Sequence, residues 1–250
     1  MEISNTKAVI TGGASGLGLA TATLFRENGA QVTIFDRDPN GQAVAANIGA
    51  HFVLTDVTDE NSVQAAVALA SSKMGGISAA VNCAGIATGE KTVGRDGPHS
   101  IEAFQRTIDI NLIGTFNVSR LAAVEIAKTE PASDGARGVI INTASIAAFD
   151  GQKGQAAYAA SKAGIAGMTL PMARDLANLG VRVMAIAPGI FMTPMLEGLG
   201  EEIQAGLAAS VTCPKRLGDP SEYASLAKFI VESGYLNGET IRIDGALRMQ

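Results

Sequence analysis

The chain has 250 residues, 47% of them apolar and 17% charged, with 29 glycines, no tryptophan and a formal charge of −5. This composition matches compact globular proteins and excludes the disordered and fibrous classes. The acidic balance lacks the clustered Lys and Arg that phosphate neutralisation needs, so no nucleic-acid partner is expected.

From the N-terminus, the apolar run KAVIT (7–11) begins within ten residues, which leaves no room for a presequence. No apolar run reaches the ~18 residues of a membrane span, so the expected location is the cytoplasm, with no membrane partner. TGGASGLG (11–18) then opens a helical pattern at 16–28. The runs QVTIF (31–35) and AHFVL (50–54) flank a weaker helix at 40–48, and Thr58 or Asp59 would cap a helix at 59–74. ISAAVN (77–82) precedes a polar stretch at 86–100 that reads as a surface loop, followed by one long helix at 101–129.

GVIINTA (138–144) leads to a helix at 155–178, where Pro171 predicts a kink or break because an interior proline removes a hydrogen bond and crowds the preceding turn. VRVMAIA (181–187), a helix at 220–233 and ETIRI (239–243) close the chain. Alternating short β-rich runs and helices are βαβ units, and their near-continuous apolar character marks strands covered on both faces. The expected fold is α/β: one domain over 1–250 containing a Rossmann-like, doubly wound parallel sheet of seven strands, fully buried between helices. Two cysteines, Cys83 and Cys213, form no disulfide framework and read as buried or half-buried thiols. His51 and His99 stand in no ligand cluster, so no metal site is expected.

The glycine turn sits between the first strand and the first helix, where a dinucleotide pyrophosphate binds. Gly12 would permit the turn, Gly16 the approach of a ligand to the backbone, and Gly18 close packing of helix on strand. Asp36 ends the second strand 20 residues after Gly16, where a carboxylate accepts ribose hydroxyls and repels a 2′-phosphate. NAD is favoured on this ground, while Arg37 keeps NADP open and a surface aspartate opening the turn DRDPNG is the lesser alternative for Asp36. Asp56 and Val57, after the third strand, either contact adenine or serve the start of the next helix.

Tyr158 and Lys162, in YAASK, lie four residues apart on one helix face. A tyrosine is a poor base near neutrality unless a cation stabilises its phenolate, and a neighbouring ammonium does so. An amphipathic helix with an exposed lysine would show the same pattern. Ser145 closes the fifth strand at the crevice end, where its hydroxyl could stabilise alkoxide-like charge during hydride transfer.

TGGASGLG, NCAG (82–85), Asn111 in DINL, Ser145, YAASK and Pro188-Gly189 together resemble the short-chain dehydrogenase/reductase family over the full length. The resemblance implies an NAD-dependent enzyme whose catalytic set is Ser145, Tyr158, Lys162 and Asn111, with Tyr158 the base and an Asn111-held water linking Lys162 to solvent. It implies that Asn82 steadies the sheet beside the cofactor and that Thr193 binds the nicotinamide amide. Ser15, Leu17, Ala84 and Gly85 join the cofactor site by the same resemblance, as do Pro188, Gly189 and Phe191. It also implies a homotetramer with the 101–129 and 155–178 helices and the C-terminal segment in its contacts.

Stretches outside these motifs, such as GTFNVSRL, RLGDP and LNGETIRIDGALRMQ, are similar to the type-2 3-hydroxyacyl-CoA dehydrogenase subgroup. That similarity implies oxidation of L-3-hydroxyacyl-CoA, including branched short-chain thioesters, with Gln155, Met195 and Leu196 at the substrate. Residues 189–214 are expected to form a mobile flap, in which Phe191, Met192, Met195, Leu196 and Leu199 either line an acyl pocket or pack in the core. Oxidation of hydroxysteroids or other secondary alcohols is the alternative within the class. A non-catalytic dinucleotide-binding regulator is the alternative outside it, against which the complete Ser145, Tyr158, Lys162 and Asn111 set argues.

Overall fold

The computed structural model describes residues 1–95, 97–197 and 200–249, apart from the side chains of Met195 and Glu197. The expectation for Leu199, and that for the Met195 side chain, lie outside these described residues. In chain order the first half comprises β1 (Lys7–Thr11), α1 (Gly16–Glu27), β2 (Gln31–Asp36), α2 (Gly41–Asn47), β3 (His51–Leu54), α3 (Glu60–Met74) and β4 (Ala79–Asn82). α4 (Ile101–Ile108), a π-helical turn (Asp109–Ile113), α5 (Gly114–Ile126) and β5 (Gly138–Thr143) follow. The chain continues through α6 (Ala156–Asp175), β6 (Val181–Pro188), α7 (Pro194–Glu197), α8 (Glu201–Ser210), α9 (Pro220–Glu232) and β7 (Thr240–Ile243).

Among the described residues these seven strands form one parallel sheet in the order β3-β2-β1-β4-β5-β6-β7. The chain winds outward from β1 and then, from β4, in the opposite direction, so the topological switch lies between β1 and β4. Open α/β sheets leave a crevice there, beyond the carboxyl ends of the strands.

Side chains alternate across the strands and build a core on each face of the sheet. Ile10, Ile34, Val81, Ile141 and Ile186 pack with Phe25 of α1 and Ile230 of α9. Val9, Ala80, Ile140 and Val183 pack on the opposite face with Val67 of α3, Val118 of α5 and Met172 of α6. The central strands β4, β5 and β6 are buried throughout, which explains their uninterrupted apolar character. The edge strands β3 and β7 are only partly covered, so the sheet is not buried to its edges as expected.

Caps mark the helix starts. Asp59 accepts from the N–H groups of Asn61 and Ser62 and caps α3, so of the two candidates it is Asp59 and not Thr58. Asp219 and Glu222 make a capping box that opens α9.

Three details depart from expectation. The 101–129 pattern is interrupted by the π turn, because one extra residue in a helical turn hardly disturbs apolar periodicity. α6 runs through Pro171 without a break; Ile165, Thr169, Met172 and Ala173 bury its inner face, and Gly167, one turn before the ring, has open space around it. Packing of that face outweighs the lost hydrogen bond. Finally, Cys213 is exposed, because it lies in the loop after α8 rather than in a strand, while Cys83 is half-buried.

Candidate active site

A cavity of about 1340 Å³ runs along the strand ends at the switch point. The glycine turn, Asp36, Asp56 and Val57 line one end, and Ser145, Tyr158, Lys162 and Gln155 line the other.

The glycine turn is shaped by what it lacks. Gly12 and Gly16 have φ of +64° and +52°, a region that favours glycine. A Cβ on Gly12 would lie 2.9 Å from Ala84 Cα, and one on Gly18 would lie 2.2 Å from the Gly12 carbonyl oxygen. Ser15, the N-cap of α1, makes no side-chain cap bond, which leaves first-turn N–H groups at the cavity for a ligand. Leu17 lines the same wall.

Asp36 is oriented by its own turn. Its Oδ2 accepts from Ala14 N–H at 3.0 Å and its Oδ1 from Asp38 N–H at 3.0 Å. Asp56 accepts from the Thr58 hydroxyl at 2.7 Å and Thr58 N–H at 2.9 Å, which hold its carboxyl below the usual range, and Arg37 adds a smaller pull. Asp56 therefore closes a turn on the cavity wall and leaves the capping of α3 to Asp59.

Between the two ends, Thr11 Oγ1 accepts from the N–H groups of Cys83 and Ala84 at 3.1 and 3.0 Å, folding the NCAG segment over the glycine turn. Asn82 lies beneath the cavity floor; its Nδ2 donates to Ser119 Oγ and Asn142 Oδ1, tying β4 to α5 and β5. Gly85 is tight, since a Cβ there would meet Asn111 Oδ1 at 3.1 Å and Lys162 Nζ at 3.7 Å. Asn111 sits in the π turn and clamps Ile86, accepting from its N–H at 2.8 Å and donating to its carbonyl at 2.9 Å. The same amide donates to Ser161 of α6 at 3.1 Å. Asn111 thus joins the loop after β4 to the helix of Tyr158 and Lys162 without lining the cavity.

At the reactive end, Ser145 Oγ accepts from Ala147 N–H at 3.1 Å and is hydrogen-bonded to the Tyr158 hydroxyl. Burial pushes the pKa of that hydroxyl above its ordinary 10, and the Ser145 bond pulls it part of the way back. The Lys162 ammonium, pulled down to about 8 by burial, donates to the Thr143 carbonyl at 2.7 Å and lies 5.7 Å from the Tyr158 ring centre. The two side chains therefore converge, yet Lys162 is gripped by the strand end and does not hydrogen-bond the phenol. Gln155 Oε1 accepts from Gln152 N–H at 2.9 Å, so its amide donors remain for the cavity.

Pro188, Gly189, Phe191, Thr193 and Leu196 also line the cavity. A Cβ on Gly189 would fall 2.9 Å from Asp244 Cα. Phe191 is buried and paired with the Gly218 backbone, which serves the core as well as the wall, whereas Met192 does not line the cavity. Thr143, Leu207 and Met249 line it too and carry no sequence signal for that position.

The chain matches the family described as short chain dehydrogenase over residues 6–204. It belongs to that family. It is 57% identical over 249 residues to human 3-hydroxyacyl-CoA dehydrogenase type-2, covering 97% of this chain and 95% of that protein. It is 54% identical to the Drosophila melanogaster protein of the same name, covering 99% of both chains. It superposes with a TM-score of 0.94 on the crystal structure of 3-hydroxyacyl-CoA dehydrogenase type-2 from Mycobacterium avium, at 46% identity, covering 97% of this chain and 96% of that one. The chain is accordingly an oxidoreductase, and its family implies a nicotinamide dinucleotide. The glycine turn fits such a group, because added Cβ atoms at Gly12 and Gly18 would destroy the cradle that a pyrophosphate needs. Among the described residues no cluster of potential metal ligands occurs, and no helix is long and apolar enough to cross a membrane.

Proposed function

We propose that this short-chain dehydrogenase oxidises L-3-hydroxyacyl-CoA, short or branched as in 2-methyl-3-hydroxybutyryl-CoA, to 3-ketoacyl-CoA with NAD. The observation that carries this reading is the convergence of Ser145, Tyr158 and Lys162 at one end of a cavity whose other end holds the glycine turn and Asp36. High identity to proteins named for that reaction supports the substrate class.

A nicotinamide dinucleotide held along this cavity would supply the acceptor for the hydride that leaves the carbinol carbon. Tyr158 removes the hydroxyl proton, and Ser145 donates to the same oxygen as it becomes a carbonyl. Lys162 supplies positive charge beside the phenol, and a water held by Asn111 passes the proton on to solvent. Asp36 accepts the adenosine ribose hydroxyls and disfavours a 2′-phosphate, which supports NAD; Asp56, Val57, Ala84 and Gly85 complete the wall around the nucleotide. Thr193 would hold the nicotinamide amide, and Pro188, Gly189 and Phe191, which line the same cavity, would complete its site. Gln155, Met195 and Leu196 take the acyl portion. In this reading 1–250 works as one domain, residues 189–214 close over the substrate, and the protein assembles as a homotetramer. Ile113, Phe116 and Val124, exposed on the π turn and α5, supply apolar surface suited to such a contact.

NADH formation from 3-hydroxybutyryl-CoA, its 2-methyl homologue and a hydroxysteroid tests the substrate. Turnover of the thioesters with NAD is expected. Turnover of the steroid alone, with neither thioester consumed, overturns the assignment in favour of the alternative alcohol.

A further inference from the structure

Lys162 has a single hydrogen-bond acceptor among the described residues, the carbonyl of Thr143 at 2.7 Å. Its ammonium ends a flexible four-carbon stem, so that one contact decides where the charge sits. What holds Thr143 therefore matters to the reacting end of the cavity.

Thr143 is the last residue of β5, and the β4 ladder stops one residue earlier, at Asn82 opposite Asn142. Alternation along β5 puts the Thr143 side chain on the same face as Val139 and Ile141, the face covered by α1 and α9. Lys162 belongs to α6, on the other face. From α9, in the turn that the Asp219–Glu222 capping box sets, Tyr223 reaches back to the sheet. Its hydroxyl lies 2.7 Å from Thr143 Oγ1. Cys83 Sγ at the end of β4 closes a triangle, 3.6 Å from the threonine oxygen and 3.7 Å from the tyrosine oxygen.

We infer that Tyr223 is a positioning residue for Lys162, acting through the sheet: its hydroxyl fixes the Thr143 side chain, and the Thr143 backbone carbonyl fixes the ammonium. This inference rests on the reading of Tyr158 and Lys162 as the proton-transfer pair. Tyr223 is wholly buried, and that burial pushes its hydroxyl well above the ordinary tyrosine value, so it stays a neutral phenol and takes no part in proton transfer itself. The titratable groups facing Lys162 are Tyr158 on its own helix and Cys83 at the end of β4. Loosening Thr143 lets the ammonium drift from Tyr158, and small misplacements of a catalytic group are costly in rate. The phenolate then loses support and its proton is held to higher pH.

The test uses the full-length chain with whichever secondary alcohol the parent turns over fastest. Tyr223→Phe, which removes one oxygen and keeps the ring, is expected to lower kcat about fivefold to tenfold, the worth of one hydrogen bond. KM for NAD should change by less than about twofold, and the alkaline rise of kcat should move up by about half a pH unit. Thr143→Val should reproduce this, the double variant should be no worse than the more severe single one, and Thr143→Ser should restore most of the loss. A lowered Tm with kcat and pH profile equal to the parent would reduce Tyr223 to a core residue and overturn the inference. Additive losses in the double variant would overturn it as well. Tyr158→Phe is measured alongside: if it remains active the proton-transfer reading itself fails, whereas an inactive Tyr158→Phe with an unaffected Tyr223→Phe sinks this inference alone.

Discussion

The nucleotide end of the cavity is shaped by missing side chains, whereas its far lip is made of side chains on a segment that adds little to the core. At the first end Gly12 lies against Ala84, and Gly18 against Gly12 and Gly13, so closely that an added Cβ would collide with backbone, while Gly16 is held to glycine by its positive φ. At the lip, α7 and α8 follow β6, and α8 buries none of its residues. Phe191 is the anchor, buried against Gly218. Backbone pressed on backbone has almost no freedom to repack, while exposed side chains on a short helix exchange at little cost. The cofactor half is therefore expected to resist change, and substrate choice to be adjustable at the lip.

The largest effect is expected where the two ends meet. Tyr158→Phe should reduce kcat by about a hundredfold to ten-thousandfold, the range for loss of a general base, while NADH binding, followed by fluorescence, stays within a few fold of the parent. Residual turnover near the parent rate would remove the base from the scheme. At the nucleotide end, Asp36→Asn should cut the preference for NAD over NADP, as a ratio of kcat/KM, by about tenfold or more, the scale of a charge-assisted hydrogen bond. An unchanged ratio would transfer cofactor selection to Arg37.

The two ends also differ in buried charge, and pH exposes that difference. Lys162 is 5% exposed and releases its proton near pH 8 in the folded chain, against an ordinary 10.5. Between those values the unfolded chain holds the Lys162 proton and the folded chain does not. This group's contribution to the stability of the NAD-free protein, read as the difference between the parent and Lys162→Met, should therefore grow as pH rises from about 8 toward 10.5, against the opposite trend of the buried Cys83 thiol, whose pKa burial raises. Below 8 the cost of burying the charge is present in full. The gain should be of the order of a few kcal/mol. Asp36→Asn, changing a carboxylate at the cavity rim, should leave that difference intact. Urea unfolding at several pH values reads both, and a difference that stays flat with pH would assign the buried proton to another group.

The nucleotide end was also the more legible in the sequence, for the same physical reason. A positive φ or a close approach demands glycine itself, so Gly12, Gly16 and Gly18 announce their geometry. The strands were legible because burial on both faces leaves continuous apolar runs, and Tyr158 with Lys162 because four residues return to one helix face. What escaped notice depends on contacts without a residue signature. Thr143 serves through a backbone carbonyl that any residue possesses, and Tyr223 meets it from 80 positions away. The π turn that presents Asn111 to Ile86 inserts a single residue into an otherwise regular pattern. At Pro171 local chemistry points to a kink or a break, and the buried face of α6 carries the helix through without the break.

The smallest effect belongs to the lip and sharpens the comparison most directly. Leu207 of α8 is half-buried and lines the cavity, and Gln204 of the same helix donates to the Leu196 carbonyl at 3.1 Å, linking α8 to α7. Leu207→Ala removes apolar surface that would meet an acyl chain but touches neither the glycine turn nor Ser145, Tyr158 and Lys162. Partial burial of a leucine is worth about 1 kcal/mol, so KM for the longer acyl thioesters should rise about fivefold, with kcat and KM for NAD unchanged. Short thioesters should lose less, because their chains end before the lip. If kcat fell equally for every chain length, the lip would be governing the reacting atoms themselves, and the division between a rigid cofactor half and an adjustable substrate half would fail.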